Sequence, residues 1–266
     1  MRTVKRLALV GLPALTLLGL SGGPGPAPRH DAWRIVGPGG GGTMRRPAVS
    51  PHDPAVVVEG SDMTGGYLTR DAGESWRMFS LGAPPAAFAF DPKDENVIYA
   101  TTAALWRSRD AGRTWTMVYP DPEKNTLVHA WTDHGDFVIT TDDPAYAGSG
   151  RDVDVHAVGI DPLDTRSLVI AVSSADSPRP GSPSSPTRLL VSRDAGHTWT
   201  RAGDLAGTER VFAFRYVGPS GARQVEAVGE TGVYVGESGA LARREPPAPG
   251  RITSASFGQS GSRGLL

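Results

Sequence analysis

The 266-residue chain lacks cysteine, a surplus of charge of either sign and, after residue 27, any helical periodicity of its apolar residues. Without cysteine there is no disulfide framework, no thiolate nucleophile and no cysteine-ligated zinc site. With 27 Lys+Arg against 28 Asp+Glu, the chain also lacks the basic surplus that is typical of nucleic-acid-binding proteins. Sequence motifs for a phosphate loop, a serine nucleophile elbow or a zinc-binding helix are absent as well. We therefore expect no nucleic-acid partner, no metal and no cofactor.

Turn-forming residues are abundant instead. The chain has 34 Gly and 23 Pro, together about a fifth of its residues, which favours many turns over long helices. A hydrophobic content of 39% is sufficient for a packed core. These proportions favour a folded, turn-rich domain.

The first residues have the layout of a secretory signal peptide. A basic start at residues 1–6 is followed by an apolar run at 7–20 and by small residues and proline at 21–27. We expect residues 1–27 to be removed and the protein to be secreted, either extracellular or periplasmic. Removal leaves 24 of the 27 basic residues against 28 acidic ones. The alternative is an N-terminal membrane anchor, for which the apolar run is short, and no later segment is apolar enough to cross a bilayer.

An eight-residue motif, [ST]-R-D-A-G-x-[ST]-W, occurs three times, and we call its copies the RDAG turns. They lie at residues 69–76, 108–115 and 192–199. The first two Asp residues are 39 positions apart and the second and third are 84 apart, close to twice that interval. Repeats of this length are typical of one four-stranded propeller blade each.

Each RDAG turn is preceded by the same arrangement of strands. A strand enters a turn containing Asp and Pro, a β-branched run leaves it, and a third strand leads into the motif. A fourth copy begins at Val211 and has no RDAG motif, and residues 252–257 resemble the first strand of a fifth. The sequence therefore predicts an all-β fold over residues 28–266. It is a β-propeller of four-stranded antiparallel blades, incomplete, with four blades and the start of a fifth. A small complete propeller and an assembly of two chains are the alternatives.

The RDAG residues suit a structural role in hairpins. A turn Asp carboxylate accepts backbone N–H groups, Gly takes the left-handed conformation, and we expect the closing Trp to pack between blades. Three equivalent positions on different blades cannot converge on one substrate. We therefore do not assign these Asp residues to catalysis or metal binding.

The motif resembles the Asp-box (BNR) repeat of sialidases, family 74 glycoside hydrolases and sortilin-type receptors. Residues 33–79 also resemble the opening blade of family 74, with a Gly-rich run, an Asp-Pro turn, the sequence S-D-M-T-G-G-Y at 61–67 and an Asp box. The resemblance implies a glycoside hydrolase that acts on or binds a polysaccharide, with Asp62 as a catalytic carboxylate. No equivalent of the family's second carboxylate, which comes from a much later blade, is found in the chain.

The position of Asp62 in the predicted fold also supports it as a site residue, independently of the resemblance. It follows a predicted inner strand, so it should lie near one rim of the central channel, with Gly65 and Gly66 allowing close approach of a ligand. An inverting glycosidase needs a second carboxylate about 6.5–9.5 Å away. Tyr67 is a candidate platform for a sugar ring. The alternative is that Asp62 only caps a turn.

A second candidate patch lies between the second and third RDAG turns. Trp131 and Tyr146 are candidates for stacking on a sugar, and His134 is a candidate hydrogen-bonding group. A solvated loop or a degenerate strand pair is the alternative interpretation. This patch also supports a second function, a non-catalytic exported propeller that binds a glycan or a protein partner.

Overall fold

The structure is a computed structural model that describes residues 37–38, 42–62, 65–129, 137–141, 153–174, 187–205, 210–237, 240–244 and 250–257. The described residues form eighteen β-strands and one short 3₁₀ helix. The elements are β1 Met44–Val49, β2 Val57–Ser61, β3 Gly65–Thr69, β4 Arg77–Ser80, β5 Ala87–Phe90, β6 Ile98–Thr101, β7 Leu105–Ser108, β8 Thr116–Tyr119, the 3₁₀ helix Pro122–Lys124, β9 Asn125–His129, β10 Phe137–Thr141, β11 Val153–Ile160, β12 Leu168–Ser174, β13 Thr187–Ser192, β14 Thr200–Leu205, β15 Val211–Val217, β16 Gln224–Gly229, β17 Gly232–Glu237 and β18 Ala240–Arg244.

Sixteen of these strands form four antiparallel sheets, each with its strands paired in chain order. We call them blade 1 (β1–β4), blade 2 (β5–β8), blade 3 (β11–β14) and blade 4 (β15–β18). The first strands of successive blades contact one another, β1 with β5, β5 with β11 and β11 with β15, so the first strand of every blade is its inner strand. This arrangement confirms the predicted propeller of four-stranded antiparallel blades.

The RDAG turns join the third strand of a blade to its fourth. In each, an oxygen of the Asp carboxylate accepts the backbone N–H four residues on, at 2.9 Å for Asp71, 2.8 Å for Asp110 and 2.8 Å for Asp194. The motif's alanine N–H donates to a carbonyl in the turn between the first and second strands of the same blade. These distances are 3.0, 2.8 and 2.8 Å. Both turns therefore lie at one end of the propeller, which we call the RDAG rim.

Two adjacent residues of each RDAG turn adopt left-handed backbone conformations. The predicted one is glycine, as at Gly112 with φ of 83°. The other is the preceding alanine, with φ of 55° at Ala72, 56° at Ala111 and 58° at Ala195. Positive φ at two successive central positions is the φ pattern of a type I′ turn.

The core consists of apolar layers between successive blades. Between blades 1 and 2, Val58 and Leu68 pack with Ile98, and the ring of Trp115 stacks on Phe79 at 5.1 Å. Between blades 2 and 3, Trp199 contacts the edge of Tyr119 at 5.6 Å, and a third layer joins blades 3 and 4. The prediction that the closing Trp packs between blades is therefore confirmed for these two residues, and the layers hold the blades in fixed order around the inner strands.

The long interval between the second and third RDAG turns contains a two-stranded hairpin, β9–β10, rather than a blade. This agrees with the alternative of a degenerate strand pair. Blade 3 docks directly on blade 2: Val155 N–H donates to Thr102 O at 2.9 Å, and Trp199 Nε1 donates to Val118 O at 3.0 Å. Residues 130–136 and 142–152, within the same interval, lie outside the described residues.

The prediction that residues 252–257 form the first strand of a fifth blade is wrong, because the structure shows no strand there. The segment nevertheless lies along blade 4, on the face away from blade 3. Ile252 N–H donates to Glu230 O at 2.9 Å, and the Arg215 guanidinium lies 4.7 Å from the ring centroid of Phe257. A strand requires a partner for its backbone ladder, and the described residues provide no second strand for this segment.

The predicted signal peptide, residues 1–27, lies outside the described residues. Among the residues that are described, no helix has the length and apolarity needed to cross a membrane.

Candidate functional site

The end opposite the RDAG rim carries different residues in blades 1 and 4. It is formed by the starts of the inner strands and by the turns between the second and third strands, and we call it the front rim. Asp62 directly follows β2, and Glu230 directly follows β16. Each donates its backbone N–H to the residue just before the inner strand of its blade, Asp62 to Thr43 O and Glu230 to Arg210 O, both at 3.1 Å. The front rim is therefore the end at which blade-specific chemistry is possible.

Asp62 is half-buried at the front rim, and one of its carboxylate oxygens is shielded. Oδ1 is buried and accepts no hydrogen bond from any described residue. Gly42, the last residue of the Gly-rich run, packs against it with φ of 95°, and a Cβ at this position would lie 2.5 Å from Oδ1. The Gly-rich run thus ends at a point where only glycine fits beside the carboxylate.

The two glycines that follow Asp62 have a role in packing. A Cβ at Gly65 would lie 2.0 Å from Phe79 O, and one at Gly66 would lie 2.4 Å from Glu59 O. Both are therefore required by close packing of neighbouring strands within blade 1. Packing within blade 1 therefore accounts for both glycines, and close approach of a ligand at these positions stays a prediction.

Tyr67 is paired with Glu59 across β2 and β3. The adjacent pair, Val58 with Leu68, points into the core between blades 1 and 2, so Tyr67 and Glu59 lie on the other face of blade 1. Glu59 Oε1 is buried and has no hydrogen-bond partner among the described residues, and burial raises the pKa of the Glu59 carboxyl. Sequence reasoning missed Glu59, although a carboxylate directly after three valines was a usable signal.

The other predicted site residues, Trp131, His134 and Tyr146, lie outside the described residues.

A group of arginines at the front rim was also missed. Arg45 and Arg46 lie near the start of β1, and Arg210 directly precedes β15. Arg46 has φ of 57° at an irregularity in the β1–β2 register, and its Nη1 donates to Ala86 O at 2.6 Å. Desolvation lowers the pKa of Arg46, repulsion from Arg210 and Arg45 lowers it further, and Asp154 opposes the shift.

A buried histidine lies near the start of the inner strand of blade 3. His156 is 3% exposed, and its Nε2 is 2.6 Å from Ser173 Oγ and 3.4 Å from Asp154 Oδ2. The charge of Asp154, in the inner strand of the same blade, also raises the pKa of Arg46 against the other effects. For the part of the chain that is described, no cluster of three or more His, Cys, Asp or Glu side chains could hold a metal ion.

No model of a known protein family matches the chain, and no curated protein matches it by sequence. Solved structures are similar to it. An ancestral GH74 enzyme aligns with 82% of this chain and 25% of its own, at 20% identity and a TM-score of 0.55. A GH74 xyloglucanase from Xanthomonas campestris aligns with 72% of this chain and 36% of its own, at 20% identity and a TM-score of 0.36. The K499G mutant of NanB sialidase from Streptococcus pneumoniae aligns with 71% of this chain and 28% of its own, at 13% identity and a TM-score of 0.37.

The chain thus spans about a quarter of the ancestral GH74 enzyme. At this level of identity the likeness concerns the fold, and it agrees with the four antiparallel sheets and their shared inner strands. The chain has the β-propeller fold.

Proposed function

We propose that this protein is a secreted, glycoside-hydrolase-like β-propeller that binds a polysaccharide at the front rim, where Asp62 accepts hydrogen bonds from sugar hydroxyls. The observation that carries the proposal is the buried Oδ1 of Asp62, which has no donor among the described residues. A carboxylate oxygen removed from water without a partner costs about 1–3 kcal/mol or more. A sugar hydroxyl that displaces the residues covering Oδ1 and donates to it would remove this cost.

The surroundings of Asp62 support the proposal. Its backbone is held by the hydrogen bond to Thr43 O, and Gly42 closes one side of the carboxylate, so the group is fixed before a ligand arrives. The fold that it shares with the ancestral GH74 enzyme also occurs in proteins that act on glycosides, which adds an argument by analogy.

Hydrolysis is a second candidate function, and Glu59 favours it. A glycosidase needs one carboxyl group with a raised pKa as its general acid, and burial raises the pKa of the Glu59 carboxyl. Glu59 lies in the middle of β2, and Asp62 directly follows the same strand. A binding protein would need only Asp62, whereas an enzyme would need both carboxylates.

Binding of the secreted protein to soluble polysaccharides, with Asp62→Asn beside it, tests the proposal. We expect Asp62→Asn to weaken binding about ten-fold or more, because a hydrogen bond to a charged group is lost. Glu95→Gln, which removes an exposed carboxylate at the RDAG rim, is the matched control and should bind normally. Normal binding by Asp62→Asn would contradict the role of Asp62, and a protein that binds no polysaccharide would refute the proposal.

Two further readouts separate the versions of the proposal. Release of reducing sugar that is abolished by Glu59→Gln and by Asp62→Asn would favour hydrolysis, and binding without release would favour a binding module. N-terminal sequencing of protein from the culture medium tests secretion, and we expect a start near residue 28.

A further inference from the structure

The residue that packs on the shielded oxygen of Asp62 is Gly42, and Gly42 lies at the surface of the protein. Gly42 is exposed, whereas Asp62 Oδ1 is buried. A Cβ on Gly42 would lie 2.5 Å from Oδ1, 3.5 Å from Cγ and 3.7 Å from Oδ2, so the backbone of Gly42 packs directly on the carboxylate. A ligand that reaches Oδ1 from solvent therefore has to move Gly42 aside.

The backbone is held directly after Gly42 but not at Gly42 itself. Asp62 N–H donates to Thr43 O at 3.1 Å, and Met44 is opposite Ser61 in the β1–β2 register. No residue of the described chain forms a hydrogen bond with Gly42. A rotation of Gly42 next to the fixed Thr43 thus breaks no hydrogen bond that the described residues make.

Glycine makes such a rotation inexpensive. Gly42 has φ of 95°, a left-handed conformation that glycine adopts about as readily as it adopts negative φ. Other L-residues strongly prefer negative φ, because a left-handed backbone brings their Cβ too close to a carbonyl oxygen. The residue type at position 42 therefore decides how often the backbone leaves the observed conformation.

We propose that Gly42 is a positioning residue that covers Asp62 Oδ1 in the ligand-free protein and rotates away when a polysaccharide hydroxyl binds there. The inference rests on the proposed function, because the ligand is the one that Asp62 would accept. Only the uncovered arrangement binds, so the apparent affinity equals the intrinsic affinity multiplied by the fraction of protein that is uncovered.

Binding of the full protein to dextran, galactomannan and hydroxyethyl cellulose tests the proposal through Gly42→Ala. Alanine disfavours the covered arrangement twice, through its left-handed φ and through a Cβ 2.5 Å from Oδ1. We therefore expect Gly42→Ala to bind about five-fold or more tightly than wild type, with the gain in the association rate. Gly221→Ala is the matched control. It places alanine at a φ of 91° with no atom within 4 Å of its Cβ, and it should bind like wild type.

The outcomes distinguish this inference from the proposed function. Equal or weaker binding by Gly42→Ala, with wild-type binding that Asp62→Asn weakens, would overturn the inference and leave the proposed function in place. A gain confined to the dissociation rate would indicate a new contact of the added methyl group and would also overturn the inference. Binding of no polysaccharide by either protein would overturn both. If Gly42→Ala does not fold, Gly42→Asn, which tolerates positive φ better but still carries a Cβ, should bind more tightly than wild type, and unchanged or weaker binding would overturn the inference.

Discussion

The two closing tryptophans that pack between blades differ in one hydrogen bond, and this difference predicts unequal costs for the same substitution. Trp199 Nε1 donates to Val118 O at 3.0 Å and to Gly196 O at 3.1 Å. Trp115 Nε1 is buried and has no hydrogen-bond partner among the described residues. Both rings are half-buried and each contacts an aromatic ring of the preceding blade. Replacing each Trp by Phe therefore removes similar apolar area at both sites but a hydrogen bond at only one.

We expect Trp199→Phe to lower the free energy of unfolding by about 2 kcal/mol. About 1 kcal/mol of this comes from lost apolar contact and about 1 kcal/mol from the lost hydrogen bond to Val118 O. In Trp115→Phe the same loss of contact is offset, because removal of a buried, unpartnered N–H is worth about 1 kcal/mol or more. Its net cost should therefore lie between about 0 and 1 kcal/mol.

Equilibrium unfolding in urea measures the difference. Far-UV circular dichroism and tryptophan fluorescence should give coincident transitions, and an unchanged m-value would assign the midpoint shift to stability. In thermal unfolding the two variants should differ by about 2–4 °C for each kcal/mol between them. A cost of Trp115→Phe equal to or larger than that of Trp199→Phe would refute the reasoning, since the hydrogen bond would then contribute nothing at the blade 2–3 boundary.

Two further predictions concern the RDAG turns. Gly112→Ala and Gly221→Ala both place a Cβ on a left-handed residue, at φ of 83° and 91°, but only the first meets a neighbour, Leu68 Cδ1 at 2.7 Å. We expect Gly112→Ala to cost about 1–3 kcal/mol more than Gly221→Ala in urea unfolding, and equal costs would contradict tight packing of this turn on blade 1. Hydrogen bonds from the Ser75 side chain and backbone lower the pKa of Asp71 to about 2. At Asp194, desolvation raises the pKa, but hydrogen bonds from the Thr198 side chain and backbone outweigh it and lower the pKa to about 2. Since both values lie below the unfolded value of about 3.9, this stabilisation is complete above about pH 4 and is lost as the pH falls through about 2. The melting temperature of the wild-type protein should fall as the pH is lowered through this window, and it should fall less steeply with pH in Asp71→Asn. An equal dependence on pH in the two proteins would show that Asp71 does not contribute to stability.

Local chemistry made the blades predictable from the sequence. The RDAG turn contains its own acceptor and its own left-handed glycine, so the hydrogen bonds made by Asp71, Asp110 and Asp194 follow from residues within one short segment. The left-handed alanines were not predictable in the same way. Alanine has no local preference for positive φ, and Ala111 adopts it because its N–H reaches Asn96 O in another turn of the blade.

Chain spacing was a weaker guide where the repeat is interrupted. The interval between the second and third RDAG turns is about twice the first, yet it contains a hairpin and a longer blade 3. Residues 252–257 have the sequence of a strand and one backbone bond to blade 4, but strand formation depends on a partner that the segment itself does not supply. In both cases, therefore, the structure depends on pairing between strands that the local sequence does not specify.

The candidate site was least predictable because it depends on blades that are distant in sequence. Asp62 was identified through its motif, but Arg46 and Arg210 come to lie at one rim only because the inner strands of blades 1 and 4 run in the same sense. The two rims also differ in kind. At the RDAG rim the same residues make the same hydrogen bonds in three blades, so the Asp carboxylates already have partners within the fold. At the front rim blades 1 and 4 carry different side chains, and polar atoms of Asp62 and Arg210 have no hydrogen-bond partner among the described residues. A site for a single ligand needs unlike groups, and of the two rims that the structure describes, the front rim is the one that carries them.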